Sequence, residues 1–276
     1  MSDVLKLGVI GMGFVGTAVS RGFTNGQTTQ LPVDPKLGAE SFSIRELSVQ
    51  KADAAFICVP TPSRNNMNDV DPTILYSVLD DLRKETFEGL IVIKSTVTPK
   101  YLKEMVGRYS DLRIVYNPEF LTERTAEHDF KNPFFHVIGG DLDDCTQLEK
   151  IYKKYSQCAS APTFKTDVVT ASLVKYALNT HYAAKVVFMN EMHQVHQASG
   201  AETSWDEFRE ILAADPRLGP SHLMVPGPDG QYGFGGNCFP KDTKALLHYA
   251  HELGVDMSML SVAVNRNIYL RNKRGE

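Results

Sequence analysis

Leu5-Lys6-Leu7-Gly8-Val9-Ile10-Gly11-Met12-Gly13-Phe14-Val15-Gly16 begins with a short apolar run and breaks into three glycines spaced as GxGxxG. The run predicts a buried strand, and the apolar stretch at 14–23 predicts a helix behind the glycine turn. In such a unit Gly11 permits the tight turn, Gly13 lets backbone approach a pyrophosphate, and Gly16 lets helix pack on strand. The helix start at Phe14 and Val15 presents free N–H groups to phosphate. Asp34 stands 23 residues after Gly11, at the end of an expected second strand. A carboxylate there accepts hydrogen bonds from a ribose 2′-hydroxyl and repels a 2′-phosphate, so the expected cofactor is NAD and not NADP. Glycine turns are common; the order strand, glycines, helix, acid is what points to a dinucleotide.

Outward from this stretch the alternation continues. Apolar runs at 54–59, 90–93, 113–116 and 135–138 predict further strands, and 71–83 and 99–109 predict the helices between them. The fold class is α/β: a Rossmann-type doubly wound parallel sheet, assigned to residues 1–162. From 167 to 199 the chain has no proline or glycine, and Leu173, Val174, Ala177, Leu178, Ala184, Val187, Phe188 and Val195 recur at helical spacing. That predicts one long helix. Shorter helices are expected at Trp205–Ala213 and 242–253, which makes 163–276 a mostly helical middle domain. The long helix suits a spine between domains or the seam of a homodimer.

Composition narrows the partners. The chain has 276 residues, 22% of them charged, with a net charge of −4. Without a basic excess, neither nucleic acid nor an anionic membrane surface is expected. The first residues carry no basic and apolar leader pattern, and no apolar run reaches the ~18 residues of a membrane span. Cys58, Cys145, Cys158 and Cys238 are far apart with no CxxC spacing, so neither a metal site nor a disulfide framework is expected. A reducing, cytoplasmic setting follows as the expectation.

Further segments come in a particular order: Cys58-Val59-Pro60-Thr61-Pro62, Lys94-Ser95-Thr96-Val97, Asn117-Pro118-Glu119-Phe120-Leu121-Thr122-Glu123, Lys175-Tyr176-Ala177-Leu178-Asn179, Asn190-Glu191, Asp215-Pro216-Arg217, and Gly233-Phe234-Gly235-Gly236-Asn237-Cys238-Phe239-Pro240-Lys241-Asp242. Together they resemble the UDP-glucose/GDP-mannose dehydrogenase family, with the UDP-glucose 6-dehydrogenase branch the nearest. The resemblance spans nearly the whole chain, and its last segment is the most specific.

The resemblance implies an NAD-dependent, four-electron oxidation of a nucleotide-sugar primary alcohol to a carboxylate, UDP-glucose to UDP-glucuronate being the expected case. Cys238 would add to the intermediate aldehyde and carry it as a thiohemiacetal and then a thioester. Pro240 reads as an early helix position, which places Cys238 just ahead of a helix N-terminus, where the dipole favours thiolate. Lys175 and Asn179 lie four apart on one helix face and by resemblance stabilise the oxyanion, with Asp242 ordering a water or base. Read alone, they are a solvated helix face.

By resemblance, Glu123 with Thr96 positions the hydrolytic water, and Glu119, Phe120 and Leu121 line the substrate pocket together with Phe234 and Gly235. Pro60, Thr61 and Thr96 join the cofactor site. Read from the residues, Glu119 and Glu123 at i and i+4 fit a short helix started by Asn117 and Pro118, where capping alone explains them. Arg217 resembles the family's arginine that reaches a neighbouring subunit's substrate, and equally reads as part of a surface turn.

The sequence also departs from the family pattern. Members usually continue into a second, nucleotide-binding Rossmann-like domain after a segment like Val264-Asn265-Arg266-Asn267, whereas this sequence stops at Glu276. Ser172 replaces a usual acid, the Pro133-Phe134-Phe135-His136 stretch lacks a usual arginine, and a proline- and glycine-rich segment at 225–231 precedes the cysteine loop. Two rival readings remain at this point: a β-hydroxyacid-type dehydrogenase making a single hydride transfer, and an inactive NAD-binding module needing a partner.

Overall fold

The computed structural model describes residues 4–64 and 69–272. Seven strands form one sheet: β1 (Leu5–Ile10), β2 (Thr28–Val33), β3 (Ala54–Ile57), β4 (Leu90–Ile93), β5 (Ile114–Tyr116), β6 (His136–Gly140) and β7 (Thr163–Thr166). Ten α-helices accompany them among the described residues: α1 (Phe14–Gly22), α2 (Ile44–Val49), α3 (Thr73–Lys84), α4 (Pro99–Arg108), α5 (Ala126–Lys131), α6 (Leu142–Tyr155), α7 (Val168–Ala198), α8 (Trp205–Ala213), α9 (Phe239–Glu252) and α10 (Ser258–Asn272). Packing divides the chain into two compact units, Met1–Pro62 with Val70–Lys175, and Ser63–Asp69 with Tyr176–Glu276.

In the first unit the strand order is β2-β1-β3-β4-β5-β6-β7. The order reverses between β1 and β3, and the carboxyl ends of strands at such a switch point form the ligand crevice of an open α/β sheet. The central strands are buried on both faces, which is why they read as continuous apolar runs. On one face Leu7, Val9, Phe56 and Val92 pack with Val19 and Phe23 of α1, Phe130 of α5, and Leu148 and Tyr152 of α6. Phe23 is ringed by Phe56, Tyr152 and Phe130 at centroid distances of 5.5, 5.6 and 6.1 Å.

The sheet is not wholly parallel. β6 pairs antiparallel with β5, in the register Val115↔Gly140 and Tyr116↔Gly139, and β7 then runs parallel to β6. Antiparallel neighbours need no crossover. The segment from Asn117 to Phe135, which carries Glu119 and Glu123, therefore leaves and re-enters the sheet at its carboxyl edge.

The short helix expected from Asn117 is absent. Residues 117–122 are irregular, and a 3-10 turn follows at Glu123–Thr125. The Asn117 side chain is drawn into the core instead of capping: Oδ1 accepts from Lys94 Nζ at 2.9 Å and Tyr152 OH at 2.8 Å, and Nδ2 donates to the Val137 carbonyl at 2.7 Å.

In the second unit, α10 packs beside the part of α7 that follows Lys175, through an Arg266–Glu191 ion pair at 3.0 Å. Ala183 and Val187 of α7 and Leu270 of α10 enclose Phe234. No helix among the described residues is long and apolar enough to cross a membrane.

Candidate active site

The glycine turn has the geometry that its spacing predicts. Gly11 adopts φ +91°, and a Cβ there would press on the Cys58 backbone at 2.9 Å. A Cβ on Gly16 would lie 1.9 Å from the Gly11 carbonyl, so α1 approaches β1 only because that residue is glycine. Gly13 is exposed, and a Cβ on it would meet nothing within 4 Å. Open space in front of a helix N-terminus that has no side-chain cap suits a pyrophosphate. Phe14 and Val15 form the first turn of α1.

Asp34 faces this turn. Its Oδ2 accepts from Met12 N at 2.6 Å and its Oδ1 from Lys36 N at 2.9 Å. The Lys36 bond is the main cause holding its carboxyl below the usual range, against the opposing effect of burial. The ionised carboxylate keeps lone pairs for ribose hydroxyls. The residues present therefore fit an NAD.

After β3, Pro60 is exposed and Thr61 is buried, its Oγ1 donating to the Thr96 carbonyl at 2.8 Å. Thr96 is half-buried beyond the end of β4. Two residues before Thr96, Lys94 is fully buried and brought down to about 8, chiefly by burial. Nothing in the spacing of Lys94-Ser95-Thr96-Val97 singles this lysine out. Its bond to Asn117 fixes the start of the Asn117–Phe135 segment.

Lys175, on α7, belongs to the same unit. Its Nζ donates to the Glu119 carbonyl at 2.6 Å and to Glu119 Oε1 at 3.0 Å, and lies 5.5 Å from the centre of the Phe120 ring. Lys175 is 3% and Asn179 8% exposed, so neither is the solvated helix-face group that residue type alone suggests, and Glu119 is buried as well. Glu119 Oε2 also accepts from Leu121 N at 2.6 Å. Glu123, four residues on, is exposed and lines a cleft against Phe14, Thr17 and Arg21 of α1.

In the second unit Cys238 is the N-cap of α9, and its carbonyl accepts from Asp242 N at 2.8 Å to close the first turn. Pro240 occupies an early position of that helix, as expected. Asp242, 1% exposed, accepts from Asn179 Nδ2 at 2.6 Å and pairs with Lys241 Nζ at 2.6 Å. Phe234 is buried and Gly235 half-buried in the loop before the cysteine. Arg217 is exposed and pairs with Asp215 at 2.6 Å.

The other cysteines differ in kind. Burial pushes Cys58 up to about 12 and Cys145 up to about 11, and raises Cys158 as well. Only Cys238 caps a helix.

These features coincide with one family. Residues 36–156 match the model of the UDP-glucose/GDP-mannose dehydrogenase family, NAD binding domain, and residues 169–269 match the same family's central domain. The chain belongs to the UDP-glucose/GDP-mannose dehydrogenase family. It is 34% identical over 237 residues to the GDP-mannose 6-dehydrogenase of Pseudomonas aeruginosa, covering 80% of this chain and 52% of that protein. It is 33% identical over 224 residues to the UDP-glucose 6-dehydrogenase of Rickettsia conorii, covering 79% of this chain and 50% of that one. The chain thus spans about half the length of the curated relatives it matches.

Among solved structures, the UDP-glucose dehydrogenase from the hyperthermophilic archaeon Pyrobaculum islandicum superposes with a TM-score of 0.80 at 28% identity. That match covers 97% of this chain and 69% of the other. Fold, family and the NAD-binding type of the first domain agree with the sequence reading.

Proposed function

We propose that the chain performs the NAD-dependent oxidation of a nucleotide-sugar primary alcohol to a carboxylate, with UDP-glucose as the substrate and Cys238 as the covalent nucleophile. The observation that carries this reading is Cys238 at the N-cap of α9, one turn before a buried Asp242 held by Asn179. A helix N-terminus favours thiolate, and the other three thiols are disfavoured as nucleophiles by burial.

NAD, when bound, supplies the hydride acceptor, twice per sugar. In this reading the Cys238 thiolate forms a C–S bond to the C6 aldehyde, and Lys175 and Asn179 donate to the oxygen that gains charge. Glu123, with Thr96, takes a proton from the water that attacks the thioester carbonyl; the C–S bond breaks, the thiolate departs and the acid ionises. Glu119 fixes the Lys175 ammonium, and Phe120, Leu121, Phe234 and Gly235 line the sugar. Gly11, Gly13, Gly16, Asp34, Pro60 and Thr61 hold the cofactor.

We also assign a homodimer to the long helix. Phe188 and Val195 on α7 and Met259 and Val262 on α10 are exposed apolar residues of the second unit. In such a dimer Arg217 would reach the partner's substrate. The four free thiols suit a reducing cytoplasm.

The test is NADH formation by the purified chain with UDP-glucose and NAD, beside Cys238→Ser. The expected result is two NADH per sugar from the native chain and no completed oxidation by the variant. One NADH per sugar, unaffected by the substitution, would assign a single-transfer dehydrogenase instead. No NADH from a folded, NAD-binding chain with UDP-glucose would sink the substrate assignment.

A further inference from the structure

Side chains far away in sequence hold the loop that delivers Cys238. Asn190 Oδ1 of α7 accepts from Gly233 N at 3.0 Å. Asn267 of α10 accepts from Phe234 N at 2.6 Å and donates to the Phe234 carbonyl at 3.0 Å. One turn further along α10, Arg271 donates from Nε to the same carbonyl at 2.9 Å and from Nη1 to Gln231 Oε1 at 3.0 Å. Its Nη1 also pairs with Asp229 Oδ2 at 2.7 Å. A Cβ built on Gly235 would lie 1.5 Å from Arg271 Nη2, so the guanidinium occupies space that only a glycine leaves beside the loop backbone.

Asp229 sits in the proline- and glycine-rich segment before the cysteine loop. That segment closes on itself, Gly227 N donating to the Gln231 carbonyl at 2.8 Å and Gly230 N to the Gly227 carbonyl at 2.9 Å. Asp229 Oδ1 accepts from Gln231 N at 3.1 Å. The segment thereby presents a carboxylate and an amide oxygen to one side chain.

We propose that Arg271 is the positioning residue of the cysteine loop: anchored by Asp229, its planar fork fixes the backbone from Gln231 to Gly235 and so sets the reactivity of Cys238. Three acceptors of different kinds within residues 229–234, a carboxylate, an amide oxygen and a backbone carbonyl, need a rigid group with several donors. Lysine offers one compact ammonium and cannot bridge all three in fixed geometry. This inference rests on the reading of Cys238 as nucleophile.

The experiment measures the rate of Cys238 alkylation by iodoacetamide against pH, by peptide mass spectrometry, on the full chain. Native protein is compared with Arg271→Met, Arg271→Lys and Asp229→Asn, alongside melting temperature and the KM and kcat for UDP-glucose. Arg271→Met is expected to slow alkylation at pH 7 about tenfold, the effect of roughly one unit in thiol pKa. Its kcat should fall with the alkylation rate, and its KM should change less. Arg271→Lys should restore part of the rate, and Asp229→Asn should lose part of it. Asp229→Asn, which leaves Arg271 and its bond to Phe234 in place, keeps the test open if Arg271→Met does not fold. Variants that melt lower yet alkylate at the native rate overturn the proposal and leave the nucleophile reading intact. A native Cys238 that reacts no faster than glutathione overturns the nucleophile reading, and this one with it.

Discussion

Lys175 holds both the carbonyl and the carboxylate of Glu119, and both residues are nearly excluded from solvent. A buried pair of this kind gains little over an apolar pair, but loses heavily when one partner is removed. Lys175→Ala, which strands the Glu119 carboxylate, should therefore destabilise the first unit by about 3 kcal/mol in urea unfolding. Glu119→Gln, which keeps a hydrogen-bonding side chain, should cost less. Equal losses from the two would show that the ion pair is not what matters there.

Histidine adds a pH dependence at the same scale. His136, stacked on Tyr152 at 4.5 Å, is held at about 4 by burial first and the Lys94 charge second. His222, stacked on Tyr182 at 4.6 Å, is held at about 4 by burial and then by Lys185. In the unfolded chain both take a proton near 6.5. Their native, neutral state thus favours folding fully above 6.5, and stability falls as pH drops from about 6.5 toward 4, by at most ~1.4 kcal/mol per unit for each ring. Melting midpoints should follow that fall in native protein, and His136→Phe should flatten part of it. Parallel curves would remove His136 from the account.

At the scale of elements, the glycines of the first turn separate two functions. Gly16→Ala should force α1 away from β1, because its Cβ would lie 1.9 Å from the Gly11 carbonyl, and should lower the melting temperature sharply. Gly13→Ala meets no atom within 4 Å and should leave the melting temperature nearly unchanged while weakening NAD binding in a fluorescence titration. A Gly13→Ala chain that binds NAD normally would move the pyrophosphate elsewhere.

The same contrast explains what could be read in advance. β1 and β4 were legible to the residue because both faces are buried and apolar runs mark them. β7, Thr-Phe-Lys-Thr at the sheet edge, has no such run and went unread. α6 was missed although Asp141 caps it and Cys145, Leu148, Ile151, Tyr152 and Tyr155 make an apolar stripe. α10 spreads its apolar residues around the helix and leaves no stripe to find. The cofactor turn was visible because its logic is local. The wrong helix at Asn117, and the roles of Lys94, Asn267 and Arg271, came from contacts 20 to 40 residues apart that no spacing within one segment reveals.

For the molecule as a whole, the assigned dimer makes a direct prediction. Phe188→Glu puts a charge into the exposed apolar face of α7, away from the residues assigned to chemistry, and should turn a sedimenting dimer into a monomer. A native chain that sediments as a monomer would refute the assignment outright.

The antiparallel turn from β5 into β6 has an architectural consequence. The ends of the stretch between them are moored to adjacent strands about 5 Å apart, whatever its length. Lengthening it at its exposed positions around Glu123 adds only a slowly growing closure entropy and disturbs no strand order, as long as Asn117, Glu119 and Phe130 keep their buried contacts. A stretch moored in this way can vary where it is exposed while its buried anchors stay fixed. Exchanging those exposed positions between relatives would vary the carboxyl edge of the sheet without redesigning the sheet beneath it.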